Sequence, residues 1–92
     1  MIRQESAETV ALQALAWLAG NEELLPVFLG STGASLADMA RGAQDSVFLC
    51  GVLDFLLMDD AWVLSCCKDI GVAGDQLLAA RASLGGDQVH WT

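Results

Sequence analysis

Apolar residues recur every three or four positions along most of this sequence, and short stretches containing Ser, Asn, Asp, Pro or Gly interrupt them. That periodicity is typical of amphipathic α-helices. The interruptions resemble helix ends, because small polar residues favour the N-cap and glycine favours the position after the last turn. We therefore expect short helices at about 6–20, 22–30, 35–42, 47–58, 60–70 and 74–84.

Polar residues stand where these helices begin, and we expect them to act as caps: Ser6, Asn21, Ser35, Asp45 and Asp59. Asp38 follows Ser35 by three residues, which is the spacing of a capping box. Pro26 lies inside the second helix and removes one backbone hydrogen bond. It predicts a kink, or a helix start as late as Leu25.

The fourth predicted helix is the most hydrophobic segment and reads VFLCGVLDFLLM from Val47 to Met58. Apolar residues cover its circumference except for one stripe that contains Asp54. A helix of this kind belongs in the middle of a bundle. Gly51 in a helix costs about 1 kcal/mol relative to alanine, so we expect a neighbouring backbone to approach it closely.

Three other helices carry apolar residues at helical spacing. We expect the following to face the core: Leu12, Leu15, Ala16 and Ala19 in the first helix, Val63, Leu64, Cys67 and Ile70 in the fifth, and Leu77, Leu78 and Leu84 in the sixth. With 92 residues the chain has the length of one domain. The predicted fold is an all-α, compact orthogonal bundle of five or six short helices, with an ordered core over about 6–84 and a tail at 85–92.

The charge is strongly acidic, with twelve Asp and Glu against four Lys and Arg and a formal net charge of -8. Nucleic-acid affinity comes largely from cations that neutralise phosphates, and this sequence has no basic stripe. The segment FLGSTGASLADMAR, Phe28 to Arg41, nevertheless has the layout of a helix-turn-helix. Its recognition helix begins with Asp38, where base-reading side chains belong. Nucleic-acid binding is therefore the disfavoured alternative.

Three cysteines, Cys50, Cys66 and Cys67, make an odd set with an adjacent pair, which is not a secreted disulfide framework. Reduced thiols fit a cytoplasmic protein. With His90 these thiols supply four ligands of types that zinc accepts, but zinc sites normally use pairs of ligands two to four positions apart, so we expect no metal. We place Cys66 on the flank of its helix, beside Trp62, as the candidate reactive thiol.

The N-terminal segment does not resemble a signal peptide, and no apolar run is long enough to span a membrane. Glu5 and Glu8 outnumber the single Arg3 ahead of the first apolar run, whereas a signal peptide begins with positive charge. A membrane span needs about 18 consecutive apolar residues, and Asp54 divides the best candidate. We expect a cytoplasmic protein that does not bind membranes.

Catalytic chemistry has few candidates. The pairs Glu22–Glu23 and Asp59–Asp60 lie at helix starts, where carboxylates complement the helix dipole without any catalytic role. Asp54 needs solvent or a partner, and we expect a structural ion pair with Arg81 or Lys68. No nucleophile motif or phosphate loop is present. We predict no enzyme, no catalytic residue and no cofactor.

Two segments give the chain a family resemblance: VLDFLLMDD, from Val52 to Asp60, and LLPVFLGSTG, from Leu24 to Gly33. With them the sequence resembles a family of small bacterial helical proteins called domain of unknown function 3572, over about Leu12 to Leu84. The resemblance implies a compact, cytoplasmic α-helical protein and supplies no activity or cofactor. The Cys66–Cys67 pair is not part of the shared pattern.

A binding role remains, and the tryptophans are its best candidates. Aromatic anchors dominate the energetics of protein interfaces. Trp17 and Trp62 fit either the core or half-exposed helix flanks, and Trp91 in the tail is free to dock on the bundle or on a second copy. We expect a protein–protein interaction or self-association module, whose partner is another protein, a basic one by charge, or a second copy of the chain.

Overall fold

The computed structural model describes residues 4–84, which form six α-helices and their connections. The helices are α1 (Gln4–Ala19), α2 (Leu24–Thr32), α3 (Leu36–Gly42), α4 (Ser46–Leu57), α5 (Asp60–Ile70) and α6 (Gly74–Leu84). Residues 4–84 contain no β-strand. The predicted all-α bundle is confirmed, with the larger of the two expected helix counts.

Short-range hydrogen bonds set most of the helix starts. The Ser35 hydroxyl accepts the N–H of Asp38 at 3.1 Å, and the Asp38 carboxylate accepts the N–H of Ser35 at 2.9 Å, which completes the predicted capping box. Asp45 and Asp59 each accept the N–H of the residue two positions on. Asn21 Oδ1 accepts the N–H of Glu23, just ahead of α2, and that of Leu24, its first residue. The predicted caps Ser35, Asp45 and Asp59 are confirmed, whereas Glu23 occupies the cap position of α2 and makes no side-chain cap hydrogen bond.

Two helix starts differ from the prediction. α1 begins at Gln4, so Ser6 lies inside the helix and is not its cap. α2 begins at Leu24 and keeps Pro26 as its third residue. The first N–H groups of any helix have no intrahelical acceptor, so a proline at the third position removes no bond within α2, and the helix starts between the two predicted positions, residues 22 and 25. α2 continues to Thr32 and ends at Gly33, whose φ of 74° is left-handed.

The core lies between α1, α4 and α6, which pack most extensively on one another. α1 contributes a face rich in alanine, with Ala7, Ala11 and Ala14 fully buried beside Leu18. Small side chains let a neighbouring helix approach closely. Leu77 and Ala80 of α6 are also fully buried, which fits this close approach.

α4 occupies the centre of the bundle, as predicted. Six of its residues are buried: Leu49, Cys50, Val52, Leu53, Phe55 and Leu56. The stripe that carries Asp54 faces solvent. Phe28 brings α2 onto α4, because its ring makes edge contacts with the rings of Phe48 and Phe55 at centroid distances of 6.0 and 5.2 Å.

Several predicted faces are rotated in the structure. Leu12, Leu64 and Leu78 are exposed instead of buried, as are Ala16 and Ala19. In α1 the buried residues include Ala7, Ala11 and Ala14. The buried stripe is therefore displaced by about one residue from the stripe that the sequence predicts. In α5 the buried positions are Cys66 and Cys67.

The prediction for Gly51 is wrong. A Cβ at this position meets nothing within 4 Å, and the residue is exposed. The close approach occurs instead at Gly42, where the ring of Phe48 occupies the place of a Cβ.

Among the described helices, none is both long enough and apolar enough to cross a bilayer.

Candidate interaction sites

Trp17 and Trp62 are half-buried and are held by different contacts. The Nε1–H of Trp17 donates to Oδ2 of Asp69 at 2.6 Å, which joins α1 to the end of α5. The indole of Trp62 stacks on the ring of Phe55, with centroids 4.8 Å apart and an interplanar angle of 23°. Both tryptophans are therefore fixed by the fold while part of each remains accessible.

The two indoles line the same cleft, which we call the tryptophan cleft. Its volume is about 170 Å³, and its lining residues are Trp17, Asn21, Glu23, Leu24, Trp62 and Ser65. It lies where the end of α1, the start of α2 and the middle of α5 meet. Of the predicted interaction residues, the structure thus brings Trp17 and Trp62 together. Trp91 lies outside the described residues.

A second concave surface, the α1/α3 groove, is almost wholly apolar. It has a volume of about 370 Å³ and is lined by Leu12, Leu15, Ala16, Ala19, Leu36, Met39, Ala40 and Ala43. Leu36 is 64% exposed and Leu12 is 40% exposed, while Leu15 and Met39 are buried. The groove therefore combines solvent-exposed leucines with alanines, whose small side chains leave space for a side chain of another molecule.

A third and larger cleft, of about 470 Å³, lies between α2, α3 and the start of α4. Phe28 and Phe48 form its apolar side. Asp38 and Arg41 line it as an exposed ion pair, with Arg41 Nη2 2.6 Å from Asp38 Oδ1. Hydrogen bonds from Ser35 and the charge of Arg41 lower the pKa of Asp38.

The same residues belong to the segment with the helix-turn-helix layout. Arg41 is the basic residue of α3, and its partner Asp38 neutralises it. Phosphate contacts need cations that are free to pair with the backbone of DNA. This arrangement offers a nucleic acid little attraction.

The structure corrects the position of Cys66. Its exposed fraction is 0%, so the thiol lies in the core and not on the helix flank. Burial, with smaller effects from Cys67 and Asp69, raises the pKa of Cys66 to about 12. The thiolate is the reactive form of cysteine. A buried thiol that keeps its proton lacks both requirements for reactivity.

The other thiols are also buried and reduced. Burial raises the pKa of both Cys50 and Cys67. Within residues 4–84, no three His, Cys, Asp or Glu side chains come together in a way that could hold a metal ion. His90, the fourth member of the zinc set considered from the sequence, lies outside this range.

Two residues of these surfaces had no clear signal in the sequence. Asp69 pairs with Trp17 across 52 positions of the chain, so no local pattern connects them. Leu36 is the first residue of α3, and the hydrophobic pattern of the sequence predicts no role for it. Its position directly after the cap Ser35 is the one feature that indicates an apolar side chain at an exposed helix start.

The helices and surfaces define a small all-α domain with three concave surfaces, of which one is almost wholly apolar and two include acidic residues. The chain belongs to the family described as protein of unknown function (DUF3572), which matches residues 4–87. The resemblance seen in the sequence is thereby confirmed. Neither the curated proteins nor the solved structures contain a match to this chain.

Proposed function

We propose that this protein is a non-enzymatic protein–protein interaction domain and that the α1/α3 groove is its main docking surface. The observation that carries the proposal is the exposure of Leu12 and Leu36 along a groove whose other lining residues are also apolar. Contiguous exposed apolar surface on a soluble domain commonly marks an interaction site. An apolar partner side chain placed between these leucines would remove part of that surface from water, which favours binding.

Charge favours a different protein over a second copy as the partner. Two copies of this chain, each with a formal net charge of -8, repel one another on approach. A partner with a basic surface is attracted instead, and opposite charge speeds the encounter. We therefore propose a basic protein partner, with self-association as the alternative. A cytoplasmic location is part of the proposal, since three reduced thiols suit that compartment.

The helix-turn-helix alternative is the weaker proposal. It needs α3 to read DNA, but α3 has seven residues and its single basic side chain pairs with Asp38. The overall charge opposes the approach of any nucleic acid. A mobility-shift assay with duplex DNA at low salt separates the two proposals, because only a nucleic-acid-binding protein retards the duplex.

Two matched leucine variants test the groove. Leu36 is 64% exposed inside the groove, and Leu78 is 59% exposed on α6 outside it. An affinity-tagged chain carrying Leu36→Glu and one carrying Leu78→Glu are purified from the cells that naturally make the protein. Both variants add the same charge, and Glu suits the first turn of α3, so neither disturbs the fold.

The expected result is that proteins recovered with the unmodified chain are lost with Leu36→Glu and retained with Leu78→Glu. Quantitative mass spectrometry measures this difference. Equal recovery with both variants contradicts the proposal that the groove is the docking surface. Recovery of an untagged copy of this chain, lost only with Leu36→Glu, favours self-association over a basic partner.

A further inference from the structure

We propose that the tryptophan cleft binds one cationic side chain, an arginine guanidinium, of a protein partner. This proposal rests on the proposed interaction function and assigns a second contact with a defined chemistry. The α1/α3 groove receives apolar side chains. The tryptophan cleft, by contrast, combines the two indoles with the carboxylate of Glu23, and aromatic surface beside a negative charge is the combination that recognises a cation.

Glu23 supplies the negative charge of the cleft. It lines the cleft, and among the described residues its carboxylate makes no hydrogen bond or ion pair. The Asp69 carboxylate holds the indole of Trp17 from the end of α5. None of the lining residues is basic. Lys68, the basic residue of α5, does not line the cleft either. The negative charge of Glu23 is therefore not compensated within the cleft.

The indoles of Trp17 and Trp62 supply the aromatic surface of the cleft. A cation within about 6 Å of an indole face is attracted by the electrons of the ring, and tryptophan is the strongest of the aromatic residues in this respect. The hydrogen bond from Trp17 to a carboxylate polarises its indole and makes the ring more electron-rich. Phe55 covers one face of Trp62, which leaves the other face and the edge of that indole as the parts able to line the cleft.

The volume of the cleft limits the size of the group that can bind in it. A volume of about 170 Å³ is smaller than the roughly 300–1,000 Å³ of sites that hold drug-sized ligands. It is large enough for the end of one side chain. A guanidinium is planar, stacks on aromatic faces and donates hydrogen bonds in a fork that matches a carboxylate. Arginine therefore fits Glu23 and the indoles at the same time.

A pair of small probes tests this assignment with the whole chain. N-acetyl-arginine amide is titrated into ¹⁵N-labelled protein, and the indole N–H signals of Trp17 and Trp62 are followed by NMR. N-acetyl-citrulline amide, which has nearly the same shape without the charge, is the control probe. We expect saturable shifts with the arginine probe and binding about tenfold weaker, or none, with citrulline.

Two variants then locate the charge. Glu23→Gln removes the carboxylate from the cleft and is expected to weaken arginine binding about threefold or more. Asp75→Asn removes the same charge from an exposed position of α6 that does not line the cleft, and it is expected to leave binding nearly unchanged. Equal shifts with arginine and citrulline, or equal binding by Glu23→Gln and the unmodified chain, overturn the proposal.

This test is independent of the groove. Saturable arginine binding that depends on Glu23 supports the cleft even where Leu36→Glu loses no partner, and in that case only the groove proposal fails. Absence of arginine binding, together with loss of the partner in Leu36→Glu, refutes the cleft and leaves the interaction function standing.

Discussion

Arg81 donates its Nε–H to Oδ1 of Asp54 at 2.6 Å and thereby joins α6 to α4. The pair explains how an acidic residue is accommodated in the most hydrophobic helix of the chain. Asp54 lies on the one solvent-facing stripe of α4, where its side chain is 55% exposed, and the hydrogen bond raises the pKa of Arg81. Of the two partners expected from the sequence, the structure selects Arg81.

Because both side chains reach solvent, this ion pair should contribute little to stability. A double-mutant cycle with Asp54→Ala and Arg81→Ala is expected to give a coupling free energy of about 0.5 kcal/mol, which falls further in high salt. Urea unfolding followed by circular dichroism measures it. A cycle with Asp54→Ala and Arg41→Ala is the control and should be additive, since these residues form no ion pair with each other.

The two helical glycines next to the third cleft should respond oppositely to alanine. At Gly42 a Cβ collides with the ring of Phe48, which is itself packed on Phe28, and the expected loss of stability is about 1–3 kcal/mol. At Gly51 a Cβ enters open space, and the expected gain is up to about 1 kcal/mol. Thermal unfolding of both variants measures the two effects. Destabilisation by Gly51→Ala would show that a backbone does approach this position.

The thiols should be unreactive in the folded protein. At pH 8 we expect an aromatic disulfide reagent to label native Cys66 about a hundredfold more slowly than the unfolded chain, because the thiol is inaccessible and remains protonated. Absorbance of the released thiolate measures the rate. The same reaction in concentrated urea is the control and should report all three cysteines. Rapid labelling of the native chain at Cys66 would contradict its burial.

Stability should decline in alkaline solution. Burial holds the pKa of Cys66 at about 12 in the folded chain, compared with an ordinary value of 9.0. Between these values the unfolded chain releases a proton that the folded chain keeps. The free energy of unfolding should therefore be insensitive to this group below pH 9 and fall above it, by up to about 1.4 kcal/mol per pH unit for this thiol.

Urea unfolding at several pH values between 8 and 11 measures that slope. Cys66→Ala is the control, since it removes the titrating group from the core, and its slope should be shallower than that of the unmodified chain. Identical slopes would mean that Cys66 keeps an ordinary pKa in the folded protein.

The sequence predicts the helices well because the signals that begin and end them are local. Ser35 and Asp38 make their bonds within one turn, and the Asp45 and Asp59 side chains reach only two residues ahead. Gly71 ends α5 with a left-handed φ of 77°. Each of these signals is complete within a few consecutive residues.

The faces of the helices are less predictable because apolar residues occupy more than one side of several of them. Leu64 is exposed while the neighbouring Cys66 and Cys67 are buried, and hydrophobicity alone favours the opposite. In α1 the close packing of α6 selects the alanine face over the side with Leu12. Which side is buried depends on the partner helices, and these lie far away in sequence.

The candidate sites are predictable only in part for the same reason. The tryptophans stood out by residue type, but their shared cleft depends on the contact between Trp17 and Asp69, which are distant in sequence. The α1/α3 groove likewise joins two helices separated by α2. Neither surface exists before the bundle folds, so no pattern within one segment reveals it.

Site-specific photo-crosslinking shows directly whether the α1/α3 groove receives a protein partner. A benzophenone amino acid replaces Leu36 in the groove or Leu78 outside it, two positions of similar exposure, and the cells that make the protein are irradiated. We expect a discrete adduct with one basic protein from position 36 and none from position 78. The same adducts from both positions, or none from position 36, would contradict docking in the groove.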